Sequence, residues 1–435
     1  MRKRNIRWLM DELALWERDA VVDGETAGRI RQRYAGQLGS GRSLALTAFG
    51  ILGALLVGAG ILLLLAHNWA DLPRAVRTGL AILPMVVAQV LALEGLIKGR
   101  DGAGWREGVG LFWFLTIGGA VAMVSQVYHL PGSFDGFMLA WSLLALPVFL
   151  VLRSSVAAVF YLAAATAWAF DRMDHGNQEL WYWALLAGAL PLCWSNFRHQ
   201  RFSAASSLLG WAMAVALGIG TGITLVRAVP GLWVIIFSAW SAIFLLLDQR
   251  YFRGATSVGH RPFLFFGVLG ALIMTLVLTY EMPWREIGWH HYHARDEVWR
   301  QVLDPVLALG LAGAAVTLLM LERRRLRPSR IALALLPVLS IAVYALSAAA
   351  RQHGWAMLVF NLYALAVGLL LLVDGFRHVK GGDVNAGLLA IGALVVLRFF
   401  DSDQDILVRG VVFVLLGVAF LAVNLVLARK KARSV

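Results

Sequence analysis

The sequence predicts an all-α fold: a polytopic transmembrane helical bundle of about fourteen spans with both termini cytoplasmic, preceded by a short cytoplasmic helical hairpin. Three observations predict it. Apolar residues make up 60% of the 435-residue chain, against roughly 45–50% in a soluble globular protein. The excess lies in segments of about 18–22 residues with almost no charge, long enough to cross a hydrocarbon core of about 30 Å. The basic residues are also asymmetric: of 39 Lys and Arg, 29 fall in the alternate connections that share a side with both termini and 10 fall on the other side. The positive-inside rule reads that bias as cytoplasmic termini.

Residues 1–42 form the hairpin. Ile6, Leu9, Met10, Leu13 and Trp16 recur at helical spacing, and after a break at Asp23-Gly24 so do Ala27, Ile30, Tyr34 and Leu38. Two such helices are too small to bury a core alone. They pack on the membrane domain, lie in the lipid interface, or offer a docking surface to a cytoplasmic protein partner. This polar, basic stretch has no apolar core followed by small residues, so no cleavable signal peptide is expected.

The membrane domain, residues 43–435, carries apolar runs near 44–66, 76–96, 108–129, 135–152, 154–171, 180–197, 204–226, 230–248, 262–280, 302–321, 331–349, 355–373, 385–399 and 407–428. Pro84, Pro147, Pro191 and Pro337 fall inside spans, where each removes a donor and is expected to kink its helix. Ala145-Leu146-Pro147 and Ala189-Leu190-Pro191 occupy corresponding places in two spans, a faint sign of duplication. Gly50, Gly53, Gly58 and Gly60 in the first span, and Gly218, Gly220 and Gly222 in the seventh, predict close helix approach.

A net charge of +13 raises the question of nucleic acid. The location of the charge answers it: the basic residues mark topology, and the Glu322–Arg327 run anchors to anionic headgroups. Membrane lipids are the expected partners, and no nucleic acid. A lone Cys193 rules out an intramolecular disulfide and a thiolate cluster. No cofactor is predicted.

Carboxylates near the bilayer middle usually mark ion coupling, and the spans lack them. Glu94, Asp248, Glu322 and Asp374 sit at cytoplasmic ends, where they are expected to reach water, and Gln89 and Asn361 are the deepest polar side chains. The opposite ends are richer. His67, Asn68, Trp69 and Asp71 close the first span; Gln126, Tyr128 and His129 close the third; Arg398 and Asp401 close the thirteenth. Together they form the candidate ligand pocket, with an interfacial aromatic belt and helix caps as the alternative reading. An arginine shielded by lipid needs a carboxylate, such as Asp401 or Asp71, or an anionic ligand. In the longest outer loop, Glu281–Gln301, helical spacing puts His290, His293 and Glu297 on one face, a donor set for zinc or copper. The loop's tryptophans favour an interfacial helix instead. No nucleophile elbow or catalytic triad order occurs, so no catalytic residue is assigned; the reading leans away from an enzyme and leaves that question open.

These motifs carry a resemblance. Leu15-Trp16, Gln32-Arg33-Tyr34, Ala66-His67-Asn68-Trp69, Ser125-Gln126-Val127-Tyr128-His129, Trp141, Leu146-Pro147, Arg153-Ser154, Phe360-Asn361 and Arg398-Phe399-Phe400-Asp401 resemble a family of bacterial predicted membrane proteins called domain-of-unknown-function 2157. The resemblance implies a multi-pass helical bundle in the bacterial inner membrane and brings no catalytic residues. The expected function is a transporter or flippase-like protein for an envelope precursor or amphiphile, with its polar pocket on the periplasmic side. A non-transporting scaffold or sensor is the first alternative, and a membrane-embedded enzyme acting on a lipid-linked substrate the second.

The charge bias yields a direct test. A cysteine introduced near Tyr292 should react with an impermeant thiol reagent in intact cells, whereas one in the Glu322–Arg327 run should react only after permeabilisation. The reverse pattern would invert the topology.

Overall fold

A computed structural model describes residues 9, 12, 13, 15–17, 19, 21–35, 71–100, 102–172, 180–227, 232–255, 257–286, 298–350, 354–400 and six isolated positions between 414 and 425. Among them regular structure is helical throughout, with no strand. The chain divides into two compact units, Met1–Arg77 and Thr78–Val435.

In the first unit the break expected at Asp23-Gly24 is a helix cap. The Asp23 carboxylate accepts the Thr26 amide at 3.1 Å and opens α1, Gly24–Ala35, in the manner of an N-cap. Hydrogen bonds from Thr26, its side chain first, hold this exposed carboxylate below the usual aspartate range. Leu13 and Ala27, from the two predicted apolar stripes, are both buried.

Beyond the hairpin the helices follow the apolar runs. They are α2 (Arg74–Ile97), α3 (Ala103–Val127), α4 (Phe134–Leu152), α5 (Ser155–Arg172), α6 (Tyr182–Gly188), α7 (Leu190–His199) and α8 (Ala204–Arg227). There follow α9 (Trp233–Tyr251), α10 (Pro262–Val277), α11 (Met282–Glu286), α12 (Val298–Glu322), α13 (Pro328–Ala334), α14 (Leu336–Ala350), α15 (Gly354–Arg377) and α16 (Gly381–Phe400). Helices therefore stand at twelve of the fourteen predicted spans. Eight are long and apolar enough to cross a membrane, and α13 with α14, bent by 45°, makes up to a ninth. The 44–66 span lies outside the described residues, as does most of 407–428, where the isolated residues such as Val414 and Leu421 are helical.

The prolines divide into two pairs. Helices α2 and α4 run uninterrupted through Pro84 and Pro147. At Pro191 and Pro337 the helix is interrupted two residues earlier, at Ala189 and Leu335, and the proline then sits in the first turn of the new helix, where its missing N–H leaves nothing unpaired. The two Ala-Leu-Pro segments thus behave differently, one within a helix and one at a break.

Two apolar cores organise the second unit. One is built by α2 to α8 around Phe114, Phe149, Tyr161 and Tyr182. The other is built by α9 to α16 around Leu245, Leu278, Leu336 and Phe360. Large apolar side chains such as Val90, Leu93, Leu309, Leu321 and Leu362 remain exposed on the outer helices. Water would penalise that surface, while lipid accepts it, so the molecule is an integral membrane protein.

Close helix approach is set by glycines, though not all of those expected. A Cβ on Gly387 would lie 2.7 Å from the Gly368 carbonyl and 2.8 Å from the Leu372 amide, and one on Gly267 would lie 2.5 Å from the Leu245 amide. These contacts hold α15 to α16 and α9 to α10. Of the three glycines expected to do so in the seventh span, Gly220 is pressed against a neighbour, the Tyr182 ring, whereas Gly218 and Gly222 face open space. The first-span glycines lie outside the described residues. Gly387→Ala should lower the stability of the detergent-solubilised protein by about 1–3 kcal/mol, while Gly218→Ala should leave it equal or higher. Thermal unfolding monitored by tryptophan fluorescence would check both.

Candidate functional site

The predicted outer pocket is only partly visible. His67, Asn68, Trp69 and Asp401 lie outside the described residues, as do His290, His293 and Glu297. Asp71 is exposed and belongs to the first unit. Gln126, Tyr128 and His129 are exposed at the end of α3, where His129 turns the chain with a φ of 50°. The Thr78 hydroxyl donates to Tyr128 Oη at 3.4 Å. Among the described residues, no three His, Cys, Asp or Glu side chains converge as metal ligands.

Arg398 has a different surrounding. It is half-buried on the last turn of α16, and its Nη2 donates to the Thr279 carbonyl at 2.7 Å and to Thr279 Oγ1 at 2.9 Å. Its guanidinium lies 4.5 Å from the centroid of the Tyr280 ring. Asn361 Nδ2 donates to the same Thr279 carbonyl at 3.5 Å, and Trp284 Nε1 donates to Leu278 O at 2.9 Å. These are the carbonyls that the end of α10 leaves without helical partners, and a cation there is favoured by the helix dipole. Helix α3 packs on α4 and α5, and α16 packs on α15 and α10. Within the second unit, Gln126, Tyr128 and His129 therefore stand on one helix cluster and Arg398 on another. Gln89, on α2, is exposed.

The opposite ends of the helices carry a layer of carboxylates, and here the structure corrects an expectation. Glu94 is half-buried and pairs with Arg100 at 3.3 Å, but Asp248, Asp374 and Glu322 are buried, at 0%, 2% and 6% exposed. Each is matched instead by a specific donor, because an unpaired carboxylate in that setting is costly. Asp248 accepts Arg261, Asp374 accepts the Ser329 amide at 2.9 Å, and Glu322 accepts Arg250 at 3.1 Å. Asp383 takes both Arg327, at 3.2 Å, and Arg330. In the first cluster Glu107 receives Ser154 Oγ at 2.7 Å, the Ser155 amide at 3.1 Å and the Val156 amide at 2.8 Å. It caps α5, just as Asp374 caps α13. Burial and the neighbouring Arg327 push the Lys380 ammonium, between α15 and α16, below the usual lysine range.

At this same end the ends of α7, α9 and α12 and the start of α10 enclose a cavity of about 910 Å³. Trp194, Phe197, Leu247, Phe252, Phe263 and Leu321 give it apolar walls, and Arg198, Arg201, Arg250 and Arg325 surround its mouth with Glu322. Arg201 donates to the Tyr251 carbonyl at 3.3 Å, and Arg250 is held by Glu322. Among the described residues, Arg198 and Arg325 have no carboxylate within ion-pair distance. Four guanidinium groups against one carboxylate form an anion-attracting rim above a wall that favours hydrocarbon.

A second, smaller cavity of about 310 Å³ lies nearer the other end, between α6, α8, α9 and α12. Its lining includes Trp183, Trp240, Leu303, Leu307 and Leu311, with Thr221 and Thr224. The two hydroxyls donate within α8, to Leu217 O and Gly220 O, and Thr224 Oγ1 also accepts Trp183 Nε1 at 2.9 Å. What the cavity presents is apolar.

The sequence signals for the arginine rim were Trp194 and Phe197 beside Arg198, and Arg250 followed by Tyr251-Phe252. Each of these basic residues also fits the positive-inside bias, which masks their convergence. Residues 14–158 match the model of a family described as predicted membrane protein (DUF2157). The match includes Gln126, Tyr128 and His129 and stops short of Asn361 and Arg398. No curated protein and no solved structure matches the chain.

The Arg398 contacts predict a structural role. Arg398→Ala should destabilise the purified protein by about 1.5–3 kcal/mol, as for loss of a charged hydrogen bond. Asn361→Leu should cost less. Unfolding midpoints in one detergent compare them directly.

Proposed function

We propose that this protein binds an anionic amphiphile in the plane of the bacterial inner membrane, with the arginine-rimmed cavity as the site and the cytoplasmic leaflet as the source of the ligand. The observation that carries this reading is the pairing of four arginines with an aromatic and aliphatic wall in one cavity. A soluble polar metabolite would leave that wall wet, and a neutral lipid would leave the guanidinium groups without a counter-charge. A phosphate-bearing lipid satisfies both, since guanidinium groups meet phosphate oxygens in pairs. The positive-inside bias supports a cytoplasmic position for this end.

Handling of the bound amphiphile, flippase-like, is the activity that follows. Helix α7 supplies Trp194, Phe197 and Arg198 and begins at the Ala189 break, so one wall of the cavity is joined to the rest of its span by an interrupted helix. Such breaks absorb hinge motion. Supporting this reading over a scaffold is the cavity itself, which a purely structural bundle has no reason to keep open.

The test is direct. Purified protein in a neutral detergent should be stabilised against heat by phosphatidic acid and not by phosphatidylcholine. Replacing Arg198 and Arg325 together by Gln should weaken phosphatidic acid binding by roughly 10-fold or more while leaving the unfolding temperature without lipid unchanged. Equal stabilisation by the two lipids would remove the basis for the proposal.

A further inference from the structure

We infer that the turn between α15 and α16 holds one small inorganic anion, a halide, against Arg330, Ser329 and Lys380. The site lies at the same end of the bundle as the arginine-rimmed cavity and shares no lining residue with it.

Four cations meet there. Arg327 and Arg330, at the start of α13, both reach Asp383. Arg261, just before α10, reaches Asp248, with its Nε 3.1 Å from Oδ2. Lys380 lies in the turn itself, which its amide fixes by donating to the Gly375 carbonyl at 2.9 Å. It interacts electrostatically with Arg327, Arg261 and Arg330 and with one carboxylate, Asp383. Arg330 interacts in the same way with Arg261 and Asp248 across the cluster. With Asp374, which caps α13 through the Ser329 amide, three carboxylates stand against the four cations. One positive charge is left over, and an excess charge in a buried cluster is costly.

Hydrogen-bond donors are in excess as well. Arg330 is 8% exposed and spends Nη2 on Asp383, while its Nη1 is buried with no hydrogen-bond partner among the described residues. The neighbouring Ser329 is fully buried, and its Oγ has no such partner either. Both residues meet the elements that flank the turn: Ser329 reaches Asp374 on α15, and Arg330 reaches Asp383 on α16. Buried polar groups are nearly always satisfied, whether by protein, by water or by an ion. Water must donate as well as accept, and each carboxylate here already has its donor. An anion only accepts. It takes the Arg330 N–H, the Ser329 O–H and the Lys380 ammonium, and its single negative charge cancels the excess. The two buried donors leave little space beside them, which favours a compact spherical ion over phosphate with its four oxygens. Lys380 is exposed, so the ion approaches from the aqueous side along that side chain.

The test titrates purified full-length protein in a neutral detergent with sodium chloride, bromide or phosphate, with sodium gluconate making up the ionic strength, and reads the thermal unfolding midpoint. Chloride and bromide should raise the midpoint saturably. Lys380→Gln should raise the half-saturating chloride concentration at least about 10-fold. In gluconate alone the same variant should unfold at an equal or higher temperature, because it removes the excess charge. A lower midpoint there would mark Lys380 as a mere partner of Asp383 and overturn the inference. The Arg198→Gln, Arg325→Gln protein should keep the full chloride response; loss of the response in it would assign the ion to the cavity instead. Equal effects of chloride and gluconate, or phosphate acting in that double variant at lower concentration than either halide, would also overturn the inference. If Lys380→Gln fails to fold, Ser329→Ala decides: it should weaken the chloride response, and an unchanged response would sink the site.

Discussion

The interaction on which the rest depends is the pairing of buried carboxylates with helix starts and arginines at one end of the bundle. In hydrocarbon every backbone amide and every charge needs a partner within the protein. Glu107 at α5 and Asp374 at α13 supply that partner to the first amides of helices whose own turns cannot. Asp248, Asp383 and Glu322 do the same for Arg261, Arg327, Arg330 and Arg250. With those arginines paired, Arg198 and Arg325 at the cavity are left, among the described residues, without a carboxylate at ion-pair distance.

The opposite end is built on a different economy of partners. There the free carbonyls at the end of α10 are met by side chains from other helices: Arg398 from α16, Asn361 from α15 and Trp284 from α11. The sequence marks Asn361 as one of its two deepest polar side chains and Arg398 as a lipid-shielded arginine in need of a partner. Their depth has a structural cause, since a helix end inside the bundle must be capped by something that reaches it.

What the sequence made legible followed from period and charge. Span positions were readable because twenty apolar residues have few alternatives to a membrane helix, and the structure has helices at all twelve spans it describes. The breaks at Ala189 and Leu335, and the continuity through Pro84 and Pro147, were not readable, because whether a proline interrupts a helix depends on whether a neighbour re-satisfies the freed carbonyl. Nor was the burial of Asp248 and Asp374: both stand at span ends, and only the packing of α10 and α13 over them removes the water. The arginine rim was hidden for a related reason. Arg198, Arg201, Arg250 and Arg325 come from three separate connections, each ordinary on its own, and their convergence is a property of the fold.

The division of the second unit into two cores bears on how the chain is made. Among the described residues, the buried members of the first core lie between Ala92 and Ile223, so they are all synthesised once α8 has left the ribosome. Those helices can pack in the membrane while α9 to α16 are still being translated, and the later core then assembles against a finished surface. Truncation after α8 would leave a self-consistent cluster, whereas loss of any early span would deprive the later helices of the partner they meet first.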